Sequence, residues 1–143
     1  MIKIGKEEFA TQSIPQQVFS AIWELEAEVN NGGFSQYFQN SSAETAPFVV
    51  AALETIGGSQ AAGIAMLAIN AAFPDGLPAA PEQISSGAAH FSDDVLAQLE
   101  ALDKQFLSYP DNLTDLLFDF VSKYPDEFGA MPMPDDNRAD TLD

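Results

Sequence analysis

PQQVFSAIWELEAEVNNGGFSQYFQN, residues 15–40, decides the fold. Val18, Ile22, Leu25 and Val29 recur at i, i+4, i+7 and i+11, and Phe19 and Trp23 widen the apolar stripe. At about 100° per residue these positions share one face of an amphipathic helix. Pro15 suits its first turn. The helix is expected to stop near Asn30, where Asn31, Gly32 and Gly33 supply the left-handed conformations that close a C-terminus. Phe34, Tyr37 and Phe38 then predict a short second helix, with the polar Asn31, Gln36 and Asn40 bonding the turn.

Helical punctuation continues on the C-terminal side. Ser41 with Glu44 matches a capping box, and Pro47 suits the first turn of a helix carrying Val49, Val50, Leu53 and Ile56 inward until Gly57 and Gly58. Ser59 can cap the next helix, whose expected buried face is Ile64, Leu67, Ala68 and Ala71, with Pro74 ending it. Residues 75–89 show no clear period, so they are irregular or carry one short helix. Ser92, followed by Asp93 and Asp94 in a first turn that suits the helix dipole, opens a helix. Its face is Leu96, Leu99, Leu102 or Asp103, and Phe106, and Pro110 closes it. Asn112 caps the last helix, with Leu113, Leu116, Leu117, Phe120, Val121 and Tyr124 in phase before Pro125. No alternating run demands a central sheet, and Ile2 and Ile4 allow at most one short edge strand. The expectation is all-α: a compact single-domain bundle of about five to seven helices over residues 1–125. An acidic, proline-containing tail at 126–143, mobile or loosely docked, is expected to follow it.

The chain has 143 residues, 22 Asp plus Glu against 5 Lys plus Arg, a formal charge of −17, 46% apolar residues and no cysteine. That length suits one domain, and the apolar content suffices for a core, which excludes disorder throughout. Absence of cysteine excludes a disulfide scaffold, a Cys-ligated zinc or iron–sulfur site and a thiol nucleophile. The first ten residues form no uninterrupted apolar stretch, and nowhere do 18 apolar residues run together. A cytoplasmic chain that does not span a membrane is expected. The charge repels nucleic acid and anionic bilayers and attracts cationic partners, so direct nucleic-acid binding is not expected. Between Lys6 and Lys104 there is no cation, while thirteen acids lie in the same stretch. Stability does not require such a one-signed surface.

No catalytic set is complete. His90 is the only histidine and reads as structural or solvent-facing, because a general base needs an orienting partner. Glu24 and Glu28 share a helix face while Glu26 points away, so a solvated face is favoured over a metal site. Gly32 and Gly33 follow a helix rather than a strand and lack the lysine of a phosphate loop. Neither metal nor cofactor is expected, and the chain is read as a binding protein rather than an enzyme.

The candidate partner-binding acids fall into three rows: Glu24 and Glu28; Asp93, Asp94, Glu100 and Asp103; and Asp111, Asp115 and Asp119. Asp115 and Asp119 are one turn apart, separated by about 6 Å of rise. Taken alone, that helix presents either an ordinary wet face or a binding face. A globule of this mass exposes about 7,000 Å², hence about 400 Å² per net charge, whereas duplex DNA carries one charge per about 100 Å². Imitating DNA therefore requires the acids to concentrate on one or two faces.

The segment Asn30-Asn31-Gly32-Gly33-Phe34-Ser35-Gln36-Tyr37-Phe38-Gln39-Asn40, with the flanking Trp23 to Val29 and Ala52 to Gly57, resembles a bacterial family of small helical acidic proteins. Its best-known member is a DNA mimic, and most members are domains of unknown function. The resemblance is strong from about Pro15 to Phe73. It implies an all-helical fold and, for the mimic, a dimer whose carboxylates take the place of DNA phosphates and sequester a helix-turn-helix repressor. The motif residues Asn30, Asn31, Gly32, Gly33, Phe34, Gln36, Tyr37, Phe38 and Asn40 read as architectural, since glycines and aromatics shape a corner and carry no charge. The expected partner is a basic DNA-binding protein, a helix-turn-helix regulator or similar, with a homodimer on the binding side. The alternative is an immunity-type inhibitor of a basic toxin or nuclease.

Overall fold

Helix α1 (Ile14–Gln39) is the axis of the computed structural model, which describes residue 9 and residues 11–128. Ser13 opens it with a complete capping box: its hydroxyl accepts from the Gln16 amide at 3.3 Å, and Gln16 Oε1 accepts from the Ser13 amide at 3.2 Å. Val18, Ile22, Leu25 and Val29 are all buried, as their spacing predicts. The helix runs past Asn30 and breaks at Gly33, whose φ of 85° and ψ of 179° leave the helical region. Phe34 to Gln39 then form the second arm.

A 3-10 helix (Ser41–Thr45) intervenes before α2 (Ala46–Thr55), so the expected helix starts later than Ser41. Pro47 occupies its first turn, and Thr45 makes no side-chain cap bond there. A turn at Gly57, φ 90°, leads to α3 (Ser59–Ala72). Gly58 is the N-cap, and Ser59 is already the first helical residue, which corrects the expected Ser59 cap. The buried face of α3 is Ala61, Ala62, Ile64, Ala65, Ala68 and Ala72, while Leu67 is 54% exposed. Alanines lie all round this helix, so the side that fits closely against α2 and α5 goes inward and Leu67 stays outside.

The segment without a period contains one short helix, α4 (Pro81–Ala88). Helix α5 (Asp93–Leu107) is capped by the Ser92 hydroxyl, which accepts from the Val95 amide at 3.1 Å. It buries Leu99, Leu102 and Phe106, whereas Leu96 is 41% exposed. Asn112 Oδ1 accepts from the Asp115 amide at 3.1 Å and caps α6 (Leu113–Ser122), whose Leu113, Leu117, Phe120 and Val121 are buried. Residues 126–128, where the acidic tail was expected to begin, lie in α7 (Pro125–Phe128). Phe128 packs edge-on against Phe19 at 5.6 Å, and Gln16 Nε2 donates to the Glu127 carbonyl at 2.7 Å.

Helix α1 packs against α2, α4 and α5 and also touches α6 and α7, while α3 bridges α2 and α5. Phe34, Phe38, Phe73, Phe91 and Phe106 meet mostly edge to face near the bend, with centroids 5.5 to 6.4 Å apart. Every regular element among the described residues is helical: seven α-helices and one 3-10 helix. None of these helices is long and apolar enough to cross a membrane. The strand suggested by Ile2 and Ile4, and tail residues 129–143, lie outside the described residues.

Candidate functional site

The motif corner is built on the break in α1. Beyond Gly33 the helix must start again, which leaves amides of the new first turn without intrahelical acceptors. Asp103 of α5 supplies one: its Oδ1 accepts from the Phe34 amide at 2.8 Å. A Cβ on Gly33 would collide with that carboxylate, so glycine is needed there both for its φ and for the room it leaves. Burial raises the Asp103 pKa, the bond from Phe34 opposes that shift, and the nearby Glu100 charge adds to it.

The other polar residues of the corner bond to one another. Glu28 Oε1 accepts from Gln36 Nε2 at 2.7 Å and from Asn40 Nδ2 at 2.9 Å, tying the two arms of α1 together. A side chain at Gly32 would strike Gln36. Tyr37 is buried, and its hydroxyl pairs with that of Thr45 at 2.6 Å. Burial, with a contribution from the Glu24 and Glu28 charges, pushes the Tyr37 phenol above its ordinary range against the bond with Thr45. Across the bend, Asn30 Nδ2 donates to the Glu26 carbonyl at 2.7 Å and to the Tyr109 hydroxyl at 3.0 Å. Tyr109 holds a left-handed φ of 51° just beyond α5 and bonds the Glu26 carboxyl, whose pKa burial raises. The motif therefore joins α1, the 3-10 helix and the end of α5.

A second carboxylate has the same kind of task as Asp103. Asp111, between α5 and α6, accepts from the Ala61 amide through Oδ2 at 2.8 Å. Its Oδ1 lies 3.4 Å from the donor Gln60 Nε2. It thus caps α3, whose own N-cap is a glycine without a side-chain acceptor. Of the nine acids singled out by spacing, Glu28, Asp103 and Asp111 are engaged in this way inside the chain, and Glu24 is half-buried on α1.

The remaining five are exposed: Asp93, Asp94 and Glu100 on α5, and Asp115 and Asp119 on α6. Asp94 accepts from Gln98 Nε2 at 3.3 Å, and Asp115 from Asn112 Nδ2 at 2.9 Å, both within their own helical turns. Lys104 and Lys123 are the only lysines among the described residues, which contain no arginine. Spacing alone did not single out Phe118. It lies 51% exposed on α6, one turn from Asp115 and beside Asp119, on the side opposite Leu113 and Leu117. Its detectable signal was that position outside the apolar stripe.

His90 is exposed, and its Nδ1 donates to the Ser86 carbonyl at 3.0 Å. Among the described residues no group of three or more His, Asp or Glu side chains is placed to hold a metal ion. The chain has no match among curated proteins or among solved structures. The family model for DMP19-like proteins spans residues 10–124, covering the bent first helix, the corner that it forms with α5 and both acidic helices, and the chain belongs to that family.

Proposed function

We propose that this protein binds a basic DNA-binding protein, a helix-turn-helix regulator or one of similar chemistry, through carboxylates that stand in for DNA phosphates. The observation that carries the proposal is the exposure of Asp93, Asp94, Glu100, Asp115 and Asp119 on two helices in a chain of net charge −17. Ionised carboxylates free to face outward steer a cationic surface and can bond its lysines and arginines. Membership of the DMP19-like family supports the same role. On this proposal the protein performs no chemistry of its own; the corner at Asn30 to Asn40 holds the acidic helices in place.

The test is retention of proteins from a source-cell lysate on the immobilised chain, eluted by a salt gradient, beside a variant carrying Asp115→Asn and Asp119→Asn. A DNA-binding regulator should elute early from the variant and be displaced from the wild type by duplex DNA. Retention of no basic DNA-binding protein at low ionic strength, beyond that on an inert control of equal charge, would reject the proposal. Phe118 favours a second reading, an immunity-type inhibitor in which acids steer encounter and an apolar anchor sets affinity. There Phe118→Ala would speed dissociation, the two Asn changes would mainly slow association, and DNA would not compete.

A further inference from the structure

We infer that the outward face of α5 is a docking surface for a cationic amphipathic helix, one whose lysines or arginines alternate with leucine-like side chains. The inference deepens the proposed function and rests on its reading of the exposed acids as a binding face.

Leu99, Leu102 and Phe106 fill the inward stripe of α5, which leaves Leu96 and Leu107 outside the core, 41% and 38% exposed. Scattered singly, such residues carry no meaning. Here their places do: Asp93, Leu96, Glu100, Asp103 and Leu107 follow one another at steps of three and four residues, the spacing of a seam along one side of a helix. Leu96 stands one turn from each of the exposed Asp93 and Glu100. Leu107 lies about three turns, or about 16 Å, further along the axis.

Helix α6 repeats this composition independently. Phe118, 51% exposed, follows the exposed Asp115 by one turn and adjoins the exposed Asp119, while Leu113, Leu117, Phe120 and Val121 turn inward. Both acidic helices thus interleave carboxylates with large apolar side chains that the chain's own core does not use.

Charge and shape together select the occupant of the α5 face. A flexible lysine-rich segment uses the carboxylates alone and leaves Leu96 and Leu107 in water. An uncharged apolar helix desolvates Glu100 without a counter-charge, which is costly. A helix bearing both kinds of residue at the same three- and four-residue steps covers the leucines and answers the carboxylates at once. Lys104, one turn beyond Glu100, repels a cation set beside it, so the partner's cations fall toward Asp93 and Glu100. In such a complex the acids govern encounter and the leucines govern how long it lasts.

Two synthetic helix-forming peptides of equal positive charge, one with leucine and one with alanine between its lysines, test this by fluorescence anisotropy with the full chain over a range of salt concentrations. The leucine peptide should bind the wild type about tenfold or more tightly than the alanine peptide. A variant carrying Leu96→Ala and Leu107→Ala should lose that preference, keep the wild-type salt dependence and melt like the wild type, since both side chains lie outside the core. Glu100→Gln should flatten the salt dependence and keep the preference. Met66→Ala, which trims an exposed apolar side chain on α3, should change neither. The inference is overturned if the wild type binds both peptides alike, if the preference survives both α5 leucine changes, or if Phe118→Ala or Met66→Ala alone abolishes it. The lysate experiment separates this from the proposed function: a retained DNA-binding regulator without any leucine preference sinks only the inference, and a leucine preference without such a regulator sinks only the proposed function.

Discussion

Replacing Asp103 separately by alanine and by asparagine distinguishes what its oxygen contributes from what its charge costs. The Phe34 amide donates to Asp103 Oδ1 at 2.8 Å, and Phe34 is 1% exposed. Alanine leaves that amide without its acceptor at the start of the second arm of α1, at a cost of about 1–3 kcal/mol. At about 3 °C per kcal/mol for a domain of this size, Asp103→Ala should lower the melting temperature by about 3–9 °C. Asparagine keeps a carbonyl acceptor and removes a charge that burial and Glu100 disfavour, so Asp103→Asn should melt at or above the wild type near neutral pH. Gly33→Ala forces a rare φ and meets the same carboxylate, at about 2–4 kcal/mol in total. Combined with Asp103→Ala it should cost less than the sum, because the overlap is then gone. Thermal and urea unfolding followed by circular dichroism measure all four variants. An Asp103→Ala protein as stable as the wild type would refute the reasoning, as would an Asp103→Asn protein as damaged as the alanine variant.

Three further outcomes follow from the same structure. Asp111→Ala removes the cap of α3 at Ala61 and should cost about 1 kcal/mol in urea unfolding, while Asp111→Asn, which keeps an acceptor, should cost less; equal losses would contradict the capping role. Tyr37→Phe removes the 2.6 Å hydroxyl pair with the buried Thr45 and should cost about 1 kcal/mol, and a variant as stable as the wild type would show that this pair contributes nothing net. The pKa values of Glu26 and Asp103 are raised in the folded chain, so the folded state binds more protons than the unfolded state between the ordinary and the raised values. Stability should accordingly increase as pH falls through the raised values and decline as pH climbs back through them. A melting temperature that drops steadily over that acid range would reverse this sign.

Helix positions were legible in the chain because their causes are local. The stripe Val18, Ile22, Leu25 and Val29, the Ser92 and Asn112 caps and the glycine break all act within a turn or two, where dihedral preference and helical period decide the outcome. The motif Asn30 to Asn40 likewise marks a corner through its own glycines and aromatics. What was not legible there was the helix carrying on to Gly32, since the break waits for the one residue whose φ is left-handed.

The acids behave differently, because their spacing along the chain does not say where their oxygens point. Asp103 and Asp111 looked like members of surface rows, yet each caps a helix 69 or 50 residues away in sequence. Only the packing of α5 against α1, and of the α5–α6 connection against α3, brings those partners together. Alanines surround α3, so its sequence left the buried side undecided until α2 and α5 covered one face and left Leu67 on the other. Periodicity and the caps made by Ser92 and Asn112 are properties of a few adjacent residues, so the sequence alone determined an acidic, all-helical chain and its corner. Which carboxylates serve the interior and which face a partner depends on contacts between distant helices, and only the tertiary structure decided that.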